Sequence, residues 1–532
     1  MLQSPSAMAR SPLFALLRRT ARLALAASRE GLSAEDAVQR WDARTALGRR
    51  DWITGLVGAG VASALPSVGC GDDGPRPPAL RRDARIAIVG AGVSGLTCAY
   101  RLQQAGVVAT LFDSWNRIGG RMFTARGMWA DDQLVELGGE LIDTGHMALR
   151  SLAAELGLEL DPILEAPGSG ITQDSFFFQG RFVREAEIVE AFRPLAERMQ
   201  ADLAREGDPE HFDRIDRTSI AQYLDAMGGV DPVLRAILDV AYTGEYGREI
   251  DEQSSWNLLW LIDSARPEPF RIFGDSDEAF HVRGGNDQIP TRLAERFMGE
   301  IALEHRLVRV RELGTGAFRL SFDRGGGSSR EEDFDAVVFA MPFTRLREVE
   351  FEPPLPAEKR QIVDQLGVGT NAKLMLQFTM RRWRTEHRSS GSAFTDNGLQ
   401  TLWETSRGQP GASGILTVFA GGRIGERIGE GTAEERALER LPWIDQLFPG
   451  TAADYRSGSA VRMHWPTVEH VRGSYACYLP GQARWSGLEG QRVGHLHFCG
   501  EHTSVDFQGY MNGAIETGER AAAEILGDMG RR

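Results

Sequence analysis

From Arg85 onward the spacing of apolar positions changes period in a regular way. Ile86-Ala87-Ile88-Val89 is a short, wholly apolar run, the pattern of a strand buried on both faces. Gly90-Ala91-Gly92-Val93-Ser94-Gly95 interrupts it. Apolar positions at helical spacing then continue to about Ala105, and Gly106 stands where a helix C-cap glycine belongs. Residues 107 to 112 read as a second strand, which delivers Asp113. Amphipathic helical runs occupy about 185 to 205 and 231 to 262, while 346 to 484 mixes strands and helices. Within that stretch, Thr370-Asn371-Ala372-Lys373-Leu374-Met375-Leu376-Gln377-Phe378 alternates as a strand. Ala372, Leu374, Leu376 and Phe378 share one face and Lys373 takes the other. Residues 325 to 329, bordered by Arg324 and Arg330, form a polar hairpin or loop tip. The chain closes on a short strand, Leu496–Phe498, a loop over 500 to 508 and an Ala/Glu helix over 511 to 526. There are no internal repeats.

Composition narrows the classes that such a pattern can serve. The 532 residues, 42% hydrophobic and 25% charged, have a globular make-up with room for several domains. The four cysteines, at 70, 98, 477 and 499, show neither C-x-x-C nor zinc-ligand spacing, so neither a disulfide framework nor a metal site is expected. Residues 1 to 82 carry 12 Arg against 7 acids, leaving 48 basic against 67 acidic residues in the remainder. An acidic body argues against a nucleic-acid surface, which draws its affinity from clustered cations. Small cationic substrates suit it better. Only Lys359 and Lys373 are lysine, so a lysine inside a strand is informative.

Residues 1 to 82 are set apart as a leader. Gly48-Arg49-Arg50-Asp51-Trp52-Ile53-Thr54, a weakly apolar Gly/Ala stretch and a Pro-bearing polar segment outline a twin-arginine export signal, which implies a periplasmic or extracellular protein. An Arg-rich transit peptide or a misplaced start are the alternatives, and Cys70 could carry a lipid. Residues 53 to 69 hold too much Gly and Ala for a membrane span.

Strand, glycines, helix, strand and acid are in register as a βαβ dinucleotide fingerprint. Gly90 permits the tight turn and Gly92 lets the backbone approach a pyrophosphate. Gly95 lets helix and strand pack closely. Val93 and Ser94 open a helix whose N-terminus favours an anion. Asp113, 23 residues after Gly90, is placed for a ribose hydroxyl. Arg117-Ile118-Gly119-Gly120-Arg121-Met122-Phe123-Thr124 adds a second basic, double-glycine turn, which suits FAD rather than NAD.

From this point the chain resembles the flavin-containing amine oxidase family, which includes monoamine, polyamine and L-amino acid oxidases. Four further segments carry the likeness: Glu136-Leu137-Gly138-Gly139, Arg283-Gly284-Gly285-Asn286-Asp287, Ala336-Val337-Val338-Phe339-Ala340-Met341-Pro342, and Phe498-Cys499-Gly500-Glu501-His502-Thr503 through Gly509-Tyr510-Met511-Asn512-Gly513. The resemblance implies cofactor contacts from Ser114, Gly120, Arg121, Gly138, Gly139 and Glu140. It implies others from Leu307, Trp465, Gly500, Glu501, Tyr510 and Met511. The family usually has Glu at position 113 and Arg at 115, where this chain has Asp113 and Trp115. Lys373 matches the lysine that holds a water on flavin N5; a solvated surface lysine is the alternative. Tyr475 and Tyr510 match the aromatic pair that sandwiches the substrate amine before the flavin, a catalytic role for all three. Ser474 stands where monoamine oxidases carry a flavin-linked cysteine, so FAD is expected to be noncovalent. Cys477, three residues on, is expected to be packed rather than attached.

The fold class that follows is α/β, α+β overall: a Rossmann-like FAD-binding domain interleaved with a mixed-sheet and helical substrate domain. The FAD domain would comprise 83–150, 281–345 and 485–532, and the substrate domain 151–280 and 346–484. Such an enzyme oxidises a primary amine or amino acid by hydride transfer to flavin N5; the imine hydrolyses to carbonyl and ammonia, and O2 becomes H2O2. An L-amino acid oxidase needs an arginine for the carboxylate, whereas the double-glycine loop here offers Glu140 and Asp143. These acids suit an amine, or a substrate with a second cation. A dehydrogenase passing electrons to another acceptor, or a flavin-bearing binding protein, are the other classes open.

Overall fold

The computed structural model describes residues 79–530 apart from 167, 168, 267 and 268, so Arg49, Arg50 and Cys70 of the leader lie outside the described residues. A five-stranded parallel sheet organises the first half of the molecule. Its strand order is Leu496–Phe498, Ala336–Phe339, Ile86–Val89, Thr110–Phe112 and Ile301–Ala302. Ile86–Val89 lies in the centre and is buried at every position, which is why it reads as an unbroken apolar run. From its end the chain passes through the helix Val93–Gln104 and returns beside it as Thr110–Phe112. Ala336–Phe339 packs on the other side. The connections therefore diverge beyond Val89 and Phe339, and a crevice opens at that switch point.

The second strand of the fingerprint forms only at Thr110–Phe112, shorter than the apolar run suggests. Residues 105 to 107 are instead taken up in closing the helix, with Gly106 at φ 75° and the Val107 amide donating to Leu102 O at 2.9 Å. The closing helix, Met511–Asp528, lies along Val93–Gln104. Gly518 makes that approach possible, since a Cβ there would come within 2.3 Å of Ser94 O.

A seven-stranded mixed sheet forms the other half. Its order is Val461–His464, Ala372–Phe378, Gly414–Ala420, Gln400–Glu404, Ser389–Thr395, Thr172–Phe178 and Arg181–Val183. Ala372–Phe378 is buried along its whole length. Ala372, Leu374, Leu376 and Phe378 pack under one face with Trp383 and Ile444, while Met375 joins Trp129 and Ile415 on the other. Truncating Leu374 to alanine removes a fully buried side chain and costs about 2–5 kcal/mol. One row of register partners crosses this second face: Lys373, Phe419, Thr401, Phe394, Phe176 and Val183. Neighbouring strands are about 4.8 Å apart, so Lys373 and Phe176 stand about 19 Å from each other across four spacings.

Helices cover the open side of that row. The apolar run at 231 to 262 divides into Pro232–Tyr246 and Ser255–Leu261, because Gly247 turns left-handed at φ 70° and Ser254 caps the next helix through the Trp256 amide. Residues 325 to 329 form the tip between two strands of a separate four-stranded sheet, Phe318–Asp323 and Ser329–Phe334. Among the described residues, no helix is long and apolar enough to cross a membrane.

Candidate active site

The crevice at the switch point continues into a cavity of about 1440 Å³ that reaches from Gly90 to the far strands of the seven-stranded sheet. At its near end Gly90 takes φ 115°, and a Cβ there would strike Ala340 O at 2.5 Å. At Gly92 a Cβ would meet nothing within 4 Å. The backbone there borders open space, and Gly92, as the N-cap, supplies no side-chain acceptor for the first turn of the helix Val93–Gln104. Its free N–H groups and positive end thus face the cavity. Gly95 is the one fingerprint glycine that turns away from the cavity, toward the strand, where a Cβ would lie 2.0 Å from Gly90 O.

Asp113 accepts from the Ala91 amide at 2.7 Å through Oδ2 and from the Trp115 amide at 2.8 Å through Oδ1, and it lines the cavity. Burial raises its pKa against the pull of those amides and of Arg117. Trp115 stacks on His470 at 4.8 Å and carries the Arg117 guanidinium over its ring at 3.8 Å. Ser114 pairs with His470 at 3.0 Å. On the opposite wall Glu501 binds Arg121 at 2.7 Å and accepts from the Gly509 amide at 3.0 Å, so the second glycine turn and the closing loop are fastened to each other. The closing helix also begins without a side-chain cap, at Tyr510, and Met511 lines the cavity.

Two sequence motifs lock together behind Lys373. Glu136 accepts from His281 at 2.9 Å and from the Asn286 amide at 2.8 Å, while the Asn286 side chain donates to Gly139 O at 2.9 Å and Glu140 O at 2.8 Å. The turn held in this way presents carbonyls and a carboxylate to one ammonium. Lys373 Nζ donates to Glu136 O at 3.1 Å, Gly138 O at 2.8 Å and Glu140 Oε2 at 2.7 Å, with both side chains buried. All three donors of the ammonium are therefore engaged. Glu140 further accepts from Trp403 Nε1 at 2.9 Å and from the Thr405 hydroxyl. Burial alone would raise its pKa, but the Lys373 ammonium and these hydrogen bonds hold it below the usual carboxylate range.

Farther in, Tyr475 and Tyr510 both line the cavity, and their hydroxyls reach adjacent residues at the end of the helix Pro232–Tyr246. Tyr475 donates to Gly244 O at 3.4 Å and Tyr510 to Glu245 Oε1 at 2.9 Å. Burial pushes the Glu245 carboxyl up to about 7, with Asp143 adding to the rise and the Tyr510 bond opposing it.

Every cofactor or catalytic position expected from the sequence lines this one cavity except Gly95, including Gly120, Leu307, Trp465 and Gly500. Trp465 is pinned by its Nε1 bond to Leu137 O at 3.1 Å. Two expectations need correction. Glu140 is spent on Lys373, Trp403 and Thr405 rather than free to read a second cation. Asp143 accepts from Ser276 Oγ at 3.0 Å and the Glu278 amide at 2.8 Å, faces His146 at 3.2 Å and does not line the cavity. The Ser474 hydroxyl donates to Asn371 Oδ1 at 2.6 Å. Cys477 is buried against Asn257, its thiol pushed up to about 12 by burial. Glu245 escaped the sequence reading although a signal exists: Leu234, Leu238 and Ala241 form an apolar stripe at helical spacing that Glu245 extends. Glu278, also on the cavity wall, sits in a run of acids that reads as an ordinary polar loop.

This geometry is that of a protein built around an extended dinucleotide. Its family follows from comparison: the sequence profile described as flavin containing amine oxidoreductase matches residues 93–526, and the chain belongs to that family. It is an enzyme, and FAD is its cofactor. The chain is 23% identical over 467 residues to amine oxidase (flavin-containing) A of Equus caballus, covering 84% of this chain and 85% of the relative. To the L-amino acid dehydrogenase of Synechocystis sp. it is 25% identical over 480 residues, covering 83% and 94%. Its fold is similar to that of putrescine oxidase bound to putrescine, with a TM-score of 0.72 at 22% identity over 85% of this chain and 100% of that one. It is likewise similar to cyclohexylamine oxidase from Brevibacterium oxydans, at 0.73 and 22% over 84% and 100%. The residues fit FAD: open space beside Gly92, two uncapped helix ends and the carboxylate of Asp113 line one continuous cavity.

Proposed function

We propose that the protein is an FAD-dependent amine oxidase that converts a primary amine to an imine, which hydrolyses to a carbonyl compound and ammonia. The observation that carries this reading is the pair Tyr475 and Tyr510, whose hydroxyls are held on the adjacent residues Gly244 and Glu245 in the cavity that Lys373 also lines. When bound, FAD, which Ser474 has no thiol to attach covalently, would supply the two-electron redox chemistry: hydride from the carbon beside nitrogen would go to the flavin, and both electrons onward to O2 as H2O2.

The protein's own residues supply the remainder. The helix ends at Val93 and Met511 hold negative charge. The tyrosine rings orient the amine through their π faces. An amine reacts only when neutral, and the Glu245 carboxylate, bonded to Tyr510 and poised near neutrality, takes the ammonium proton. Buried aromatic walls exclude water and so strengthen each of these interactions.

A second reading has its own observation. Because Lys373 has no free donor, a water beside it must share one already in use, which favours an acceptor other than O2. The test is anaerobic titration of the flavin spectrum with amines, then admission of air. Bleaching reversed by air with H2O2 released supports the oxidase. Bleaching that air reverses only slowly supports the dehydrogenase, and failure of every amine to bleach the flavin refutes both.

A further inference from the structure

The far wall of the cavity carries a carboxylate that the chemistry above does not use. Glu278 is a solvent-accessible side chain on the wall of the cavity. Its backbone amide is tied to Asp143 at 2.8 Å, but its carboxylate makes no hydrogen bond among the described residues. Asp174 lines the same wall from the strand Thr172–Phe178 and accepts from Ser392 Oγ at 2.6 Å. The charged groups acting on Glu278 are Asp143 from the double-glycine loop, Asp174 from the sheet and Glu245 from the helix end. One cation opposes them, Arg407, whose Nε is bonded to Glu404 O at 3.0 Å. Burial first, and then these like charges, push Glu278 up to about 8. A carboxylate held among like charges on a cavity wall is costly, and a bound cation relieves it.

We propose that Glu278, supported by Asp174, binds the second ammonium of a diamine whose first amine is oxidised at Tyr475 and Tyr510. The inference rests on the amine-oxidase reading and specifies its substrate. The two amines of such a molecule have different tasks: the reacting one must be neutral, the other stays protonated. Aromatic side chains line the same cavity and suit a methylene chain: Phe176 and Phe394, stacked at 5.4 Å, and Phe273, 5.8 Å from Phe394. A free amino acid fits this spot worse, since its carboxylate would meet Glu278 and Asp174, and the one opposing charge acting at Glu278 is Arg407.

The experiment compares kcat/KM of the FAD-loaded enzyme for butane- and hexane-diamine with that for butylamine and hexylamine, in the native protein, Glu278→Gln and Asp174→Asn. Flavin content and the visible spectrum verify that each variant is folded. A charge-assisted hydrogen bond predicts a preference for the diamine of about 10- to 150-fold, expressed in KM, which Glu278→Gln abolishes while monoamine oxidation is retained. Asp174→Asn should weaken diamine use in the same sense. The diamine KM should also fall as pH rises through about 8, as Glu278 ionises, and lose that dependence in Glu278→Gln. Equal losses for both substrate types, or a native enzyme that prefers the monoamine, overturn the inference and leave the amine-oxidase reading standing. If no amine of either type reduces the flavin, both fall together.

Discussion

Replacing Lys373 by methionine keeps the length of the side chain and removes the charge, so the consequence can be worked from the partners left behind. Glu140, buried and held by Trp403 and Thr405, would lose its only ammonium, and the carbonyls of Glu136 and Gly138 would lose a donor. Breaking a buried pair from one side costs about 3–5 kcal/mol, most of it the stranded charge. With an unfolding entropy of about 2.1 cal/mol/K per residue over the roughly 450 described residues, that lowers Tm by about 3–5 °C. Lys373→Met with Glu140→Gln removes the stranded charge as well and should recover most of the loss. The pair also has a pH signature. Glu140 titrates below its unfolded value of 4.5, so its contribution is present above that pH and is lost as pH falls through the folded value. The deficit of Lys373→Met should therefore be full at neutral pH and shrink in acid. Melting followed by circular dichroism and flavin fluorescence, with FAD in excess, measures all of this. A single variant that melts within about 1 °C of the native protein, or a double variant less stable than the single, would refute the reasoning.

The glycines of the fingerprint should separate by role. Gly92→Val meets open space and should leave the ligand-free fold intact while lowering FAD occupancy, whereas Gly95→Val drives a side chain into Gly90 O and should yield little folded protein. Comparing soluble yield with flavin content for the two variants checks this. Glu245→Gln should cost about 10²-fold in kcat/KM at neutral pH and erase an acid limb near pH 7 in the profile. A native profile without that limb counts against Glu245 as proton acceptor. Denaturing the enzyme with acid should release all flavin into the supernatant, because Ser474 has no thiol to attach it; colour retained in the pellet contradicts this. Glu278 titrates above its unfolded value of 4.5, so the ligand-free protein should lose stability as pH rises from about 4.5 to about 8. Melts across that range should show a shallower decline in Glu278→Gln.

The parts of the site that were legible in sequence are those where a local rule dictates the residue. Gly90, Gly92 and Gly95 are fixed by one turn and one helix, and Lys373 stood out because it interrupts an alternating strand in a chain with only two lysines. The closing strand, loop and helix were read nearly to the residue for the same reason. What local rules do not contain is the partner. Glu140 looked available for substrate because Lys373 lies 233 positions away, and only the docking of the sheet against the double-glycine turn brings them to 2.7 Å. Asp143 looked equivalent to Glu140, yet it folds back onto Ser276, Glu278 and His146. Glu278 carried no signal at all, since its significance is the cavity it borders. The apolar run at 231 to 262 concealed a break because Gly247 is one of 61 glycines and nothing in the sequence around it marks its left-handed turn.

The row from Lys373 through Phe419, Thr401, Phe394 and Phe176 to Val183 gives the cavity a graduated depth. Each rung belongs to a different strand, so the usable length of the cavity beyond Lys373 changes in steps of about 4.8 Å rather than continuously. A bulky side chain at Thr401 would close the cavity at the third rung, while small ones at Phe394 or Phe176 would extend it by one or two. Substrate length can thus be reset by single substitutions on a rigid sheet, without moving the lysine, the tyrosines or the nucleotide cradle. In this architecture the catalytic end is invariant in position and the ruler beside it is free to be recut.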